Sequence, residues 1–127
     1  MIFPYLDTYD PPMPVLEIRL GYPGEQLILG PLTAIVDTGA DGTLMPQSLL
    51  DEIGAPIVDE VRVRGQWGEW HSLPMFTVDV GIGTFNLPVV EVVGDDKGEE
   101  IILGRNFLNG LRLLLDGLAS QVEILDE

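Results

Sequence analysis

Cysteine is absent from this chain of 127 residues, and histidine occurs once, as His71. Without thiols there is no disulfide framework, no thiolate nucleophile and no cysteine-based zinc site, and one imidazole cannot build a histidine cluster. Basic residues are scarce too: six Lys and Arg stand against 21 Asp and Glu, a formal charge of −15 at pH 7. Such a surface repels nucleic acid and anionic lipid alike, so neither nucleic acid nor membrane is an expected partner. No apolar run approaches the ~20 residues of a membrane-spanning helix. The start, Met1-Ile2-Phe3-Pro4-Tyr5-Leu6-Asp7, lacks the basic residues and long apolar stretch of a signal peptide. A cytoplasmic location is the resulting expectation.

What is present argues for one folded domain over residues 1–127. A chain of this mass buries roughly two-thirds of its unfolded surface, enough for a single core. With 46% hydrophobic residues it is not composed like a disordered segment. The 15 glycines and 10 prolines imply many turns and short strands.

Periodicity gives the same answer. Leu16, Ile18 and Leu20 alternate with Glu17 and Arg19, and Val61 and Val63 with Arg62 and Arg64, the period of half-buried strands. Further strands are expected at 26–29, 33–36, 74–80, 84–93 and 120–125, and within 111–115, apolar except for Arg112. Two short helices are expected. One starts with Pro46 in its first position and stops at Gly54; the other runs from about Arg105 to Asn109. Residues 1–12, with Pro4, Pro11 and Pro12, read as an extended arm, and 94–100 as an acidic, solvated turn. The fold class is therefore all-β with one or two short helices.

The segment Ala34-Ile35-Val36-Asp37-Thr38-Gly39-Ala40-Asp41-Gly42 delivers an aspartate from an apolar strand straight into a tight turn. A carboxylate at the end of a buried strand is costly unless it is hydrogen-bonded or functional. Taken alone, the tripeptide fits equally well a turn whose Asp side chain bonds its own backbone. A calcium loop does not fit, because Gly39 and Ser48 occupy positions that need a carboxylate or amide and a bidentate glutamate. His71, Ser72 and Asp79 carry no pattern that places them as a hydrolytic triad.

A second segment, Ile101-Ile102-Leu103-Gly104-Arg105-Asn106-Phe107-Leu108, follows the first. Together, in this order and spacing, the two segments resemble the retropepsin-like aspartic proteases. Those proteins carry an apolar-apolar-Asp-Thr-Gly-Ala strand-turn, then an apolar-apolar-Gly-Arg-Asp/Asn segment that opens a short helix. The resemblance implies a small closed or nearly closed acid-protease-like barrel that dimerises. It also implies an endopeptidase acting on peptide or protein substrates, with Asp37, Thr38 and Gly39 as the catalytic loop. Ala40 and Asp41 would line the substrate subsites, while Gly104 and Arg105 would give structural support, with Arg105 pairing to the Asp41 carboxylate. Two adjacent carboxylates sharing one proton can act as base and acid in turn, as the aspartic-protease dyad does, so the resemblance implies no metal or organic cofactor. This chain has one Asp-Thr-Gly, so a dyad requires a homodimer with Asp37 facing Asp37.

Such proteases cover bound peptide with a glycine-tipped hairpin, and residues 62–71 fit one. Gln66, Trp67 and Gly68 would form its substrate-contacting tip, with Trp70 packed inside. The competing reading is a catalytically weak domain that keeps the groove and serves as a dimeric peptide-binding or scaffolding module.

Overall fold

The computed structural model describes residues 1–65 and 67–126. In chain order the elements are β1 (Ile2–Pro4), β2 (Val15–Gly21), β3 (Leu29–Val36), β4 (Thr43–Pro46), α1 (Gln47–Glu52), β5 (Ile57–Arg64), β6 (Trp70–Ile82), β7 (Phe85–Asp95), β8 (Ile101–Leu103), α2 (Arg105–Leu108), β9 (Leu113–Asp116) and β10 (Gln121–Ile124).

The main sheet runs β2-β3-β8-β4-β7-β6-β5, and a further antiparallel pairing of β2 with β6 closes its first six strands into a barrel. The expected all-β barrel with two short helices is what the chain forms. Alternation explains why β2 closes it: Leu16, Ile18 and Leu20 are fully buried inside, while Glu17 and Arg19 face out. Phe76, Val78, Val80 and Ile82 of β6 fill the same core, joined by Met45, Leu50, Leu103 and Phe107. β5 lies outside the closed ring, paired among the described residues only to β6, and the two project as a hairpin.

Topology matters most at β8. It pairs in parallel with β3, Ala34 to Ile101 through Val36 to Leu103, and antiparallel with β4 at Leu44 and Ile102. The strand from the second motif thus lies between two strands that flank the first.

Several features differ from the sequence reading. β3 begins at Leu29, and residues 26–28 are irregular, because the chain first turns through Tyr22-Pro23-Gly24. Pro46 closes β4 and caps α1 from outside instead of occupying its first turn. The N-terminal segment is extended but bound, since β1 pairs antiparallel with β10, and β10 with β9, in a separate three-stranded sheet.

Candidate active site

The parallel register of β3 and β8 brings the two motifs side by side. The Asp37 N–H donates to the Leu103 carbonyl at 3.1 Å, so the β-ladder runs one step past β3 and stops at the aspartate. Here the chain turns sharply: the Ala40 N–H returns to the Asp37 carbonyl at 3.2 Å, and the Gly39 N–H donates to Asp37 Oδ1 at 2.9 Å. The self-bonded turn is therefore real. It uses one carboxylate oxygen and leaves Oδ2 with no hydrogen bond among the described residues. Asp37 is half-buried, while Thr38 and Gly39 are exposed.

The helix that follows β8 locks this loop. At the start of α2 the Arg105 and Asn106 N–H groups, which have no partners within a helix, donate to the carbonyls of Ala40 (2.8 Å) and Asp41 (3.2 Å). Gly104 makes the approach possible: a Cβ there would lie 2.1 Å from the Gly42 carbonyl oxygen and 3.0 Å from that of Ala40. The Arg105 guanidinium also reaches the loop, but not through the expected ion pair. Nη1 donates to the Thr38 carbonyl at 2.9 Å, and no carboxylate lies within ion-pairing distance among the described residues. The backbone explains this: Asp41 is tied to Asn106 by its carbonyl, while Thr38 presents its own carbonyl toward the guanidinium.

Two supporting residues escaped the sequence reading. Thr43, almost fully buried, donates to Asn106 Oδ1 at 2.7 Å and accepts the Gly104 N–H at 3.1 Å. Asn106 Nδ2 then donates to the Glu91 carbonyl of β7 at 2.9 Å. One amide side chain so joins α2, β4 and β7 directly behind the loop. The apolar neighbours of Thr43 in the sequence give no hint of this, since its partner lies 63 positions away.

Asp37, Ala40 and Asp41 line one cavity of about 240 Å³ with Gly42, Leu44, Val63 and Ile102. Its walls are largely apolar, and Val63 contributes from the hairpin. That hairpin turns through Gly65 and Gly68, with the Gly65 N–H on the Glu69 carbonyl at 2.7 Å and Gly68 at a φ of +86°. Trp67 stands at its tip, 84% exposed, with Gly68 beside it; neither lines the Asp37 cavity. Gln66 lies outside the described residues. Trp70 is not packed inside: it is 54% exposed, with the guanidinium of Arg62 5.0 Å and that of Arg64 5.9 Å from its ring centroid. Strand register is the cause, because Trp70 pairs with Arg64 on the outer hairpin face. Next to it, Glu69 Oε1 lies 3.5 Å from His71 Nε2. The Glu69 backbone N–H first, and His71 after it, hold that carboxyl below the usual range.

A half-buried aspartate with one free oxygen is thus presented from two interlocked loops to a cavity beneath a hairpin. Solved structures share the fold that carries it. A retropepsin-like aspartic protease from Rickettsia conorii superposes with a TM-score of 0.67 at 13% identity, over 98% of this chain and 88% of that one. The simian foamy virus (mac) protease gives 0.54 at 17%, over 75% and 91%. The retroviral protease-like domain of Ddi1 from Leishmania major gives 0.54 at 18%, over 91% and 95%. These likenesses establish the fold. No curated protein sequence matches the chain. The family model described as "gag-polyprotein putative aspartyl protease" matches residues 29–110, which span both motifs and the hairpin between them. On that match and this fold, the chain belongs to the retropepsin-like aspartyl protease family.

Proposed function

We propose that the protein is an aspartic endopeptidase that works as a homodimer, hydrolysing a peptide bond with water activated between the Asp37 carboxylates of two copies. The observation that carries this reading is the state of Asp37: Oδ1 is fixed by the Gly39 N–H, while Oδ2 is left to receive a proton. A single carboxylate can take the proton of the attacking water, but a second group must protonate the leaving nitrogen. The chain offers no second Asp-Thr-Gly, so the partner carboxylate comes from another copy across a two-fold axis.

Surface supports the second copy. The chain exposes 7537 Å², against about 6,700 Å² for a typical monomer of this mass. Part of the excess is apolar: Leu114, Leu115 and Leu118, in and after β9, are 46%, 44% and 104% exposed. The substrate would lie extended between hairpin and dyad, held by main-chain hydrogen bonds and selected by side-chain pockets such as the one shared by Asp37 and Val63.

Sedimentation run alongside turnover of a mixed peptide library tests the reading. Turnover should follow the dimer fraction and rise with salt at neutral pH, because copies carrying −15 each repel one another. Asp37→Asn should lower turnover by roughly 10²–10⁴-fold with the dimer intact. Turnover by a sedimenting monomer, or undiminished cleavage by the Asn variant, overturns it. A stable dimer that binds peptide and cleaves none at any pH makes the protein a scaffolding module instead.

A further inference from the structure

Outside the Asp37 cavity runs a second, larger groove of about 840 Å³. One side is β7, which pairs with β6 along its length but with β4 only from Val92 to Asp95. Among the described residues, 85–91 therefore have no strand on their other side, a free edge of about 23 Å in which Pro88 alone supplies no N–H. Among the described residues its only hydrogen bond from the groove side is Asn106 Nδ2 on the Glu91 carbonyl. The other walls are α2, through Asn106 and Phe107, and the base of the hairpin, through Val61, Arg62 and Val63. The lining is mainly apolar, with carboxylates at Asp41 and Glu91 and one guanidinium, that of Arg62, which lies over the Trp70 ring.

Val89 is the unexplained residue of this edge. It is a β-branched side chain at a φ of +52°, a left-handed conformation that such residues rarely adopt, and it is 60% exposed. Packing does not hold it there. The constraint comes from behind, where its N–H donates to Oδ1 of the buried Asp79 at 2.8 Å, while Oδ2 accepts the Gly24 N–H at 2.9 Å. A buried carboxylate thus fixes a strained backbone that presents an apolar side chain to the groove, and strain sustained this way marks ligand clamps.

The groove is continuous with the Asp37 cavity. Asp41, Gly42, Thr43, Val63 and Val93 line both. We propose that it is a distal extension of the substrate cleft, in which an extended segment of the substrate, remote from the scissile bond, adds as a strand along the free edge of β7 with apolar side chains against Val89. This rests on the endopeptidase reading for the identity of the occupant. Asp41, Glu91 and the net charge of the chain outweigh the one guanidinium of Arg62, itself engaged by Trp70, so the segment selected is apolar and not acidic.

A degenerate 14-residue peptide library tests it, with cleavage products sequenced by position. The wild-type chain should enrich apolar over acidic residues at positions more than about three from the cut on one side. Val89→Asp should abolish that enrichment, since Asp tolerates the left-handed backbone but places a charge in the groove. Val58→Asp, the same change at an exposed valine of β5 that lines no part of the groove, should keep it. A flat distal composition for the wild type, or an equal loss in both variants, overturns the proposal. Capture of the same library on immobilised Asp37→Asn protein reads binding without hydrolysis. Apolar enrichment in the captured pool that Val89→Asp removes, with no cleavage by the wild type, overturns the endopeptidase reading and leaves the groove standing. No enrichment in either pool overturns the groove.

Discussion

The guanidinium of Arg105 holds the carbonyl of Thr38 at 2.9 Å, so the side chain that opens α2 fixes the residue next to the candidate catalytic aspartate. The contact runs to the backbone, and it places a constraint on loop shape where an ion pair to Asp41 would have constrained only a side chain.

Arg105→Ala should therefore loosen the loop at modest cost to the fold. Arg105 is exposed, so the loss is about 1 kcal/mol, a few degrees in Tm. Turnover should fall further than stability does. Arg19→Ala, on the outer face of β2, is the control, and equal Tm values and turnover for the two variants at matched protomer concentration would remove the role.

Gly104→Ala should be far harsher. The added carbon meets the Gly42 carbonyl oxygen at 2.1 Å, and both partners are backbone, so neither can swing aside. A loss of about 1–3 kcal/mol or more, typical of forced overpacking, is expected, together with loss of turnover. An unchanged urea midpoint would show that the two loops are not clamped as described.

Asp79→Asn tests the anchor behind β7. The carboxylate accepts two backbone N–H groups, and an amide can accept only on its oxygen, leaving one of these part-buried donors facing an N–H₂ group. The expected cost is about 1–3 kcal/mol, read as a lower urea midpoint with an unchanged slope.

Trp70→Ala should act on the hairpin alone. It removes the ring between Arg62 and Arg64, an exposed cation–π contact of about 0.5–1 kcal/mol. Hydrogen exchange should quicken across 57–64 and 70–76 and stay unchanged in β2 and β8; acceleration in the barrel strands would contradict a separate hairpin.

Legibility in the sequence followed chain locality. The turn at Asp37 and the glycine and arginine at 104 and 105 are contiguous signals, and the strand alternation of β2 and the hairpin is local as well. Trp70 was misplaced because its side depends on register across a turn whose length the sequence leaves open. The Arg105 partner was misassigned because charge complementarity favours a carboxylate, whereas the approach of two loops decides which oxygen is in reach. Thr43, Asn106 and Asp79 were invisible as support because each bonds across many residues, and nothing in a neighbouring side chain announces such a contact.

The position of β8 sets the order in which the molecule can be completed. Because this strand fills the gap between β3 and β4, a nascent chain that has emerged only to residue 100 has an open seam in its barrel and an Asp37 loop with no Leu103, Gly104 or Arg105 to hold it. Long-range pairing of this kind comes late and slowly. Assembly of the loop therefore waits for residues 101–105, and an intermediate that lacks them carries Asp37 without the contacts that shape its turn.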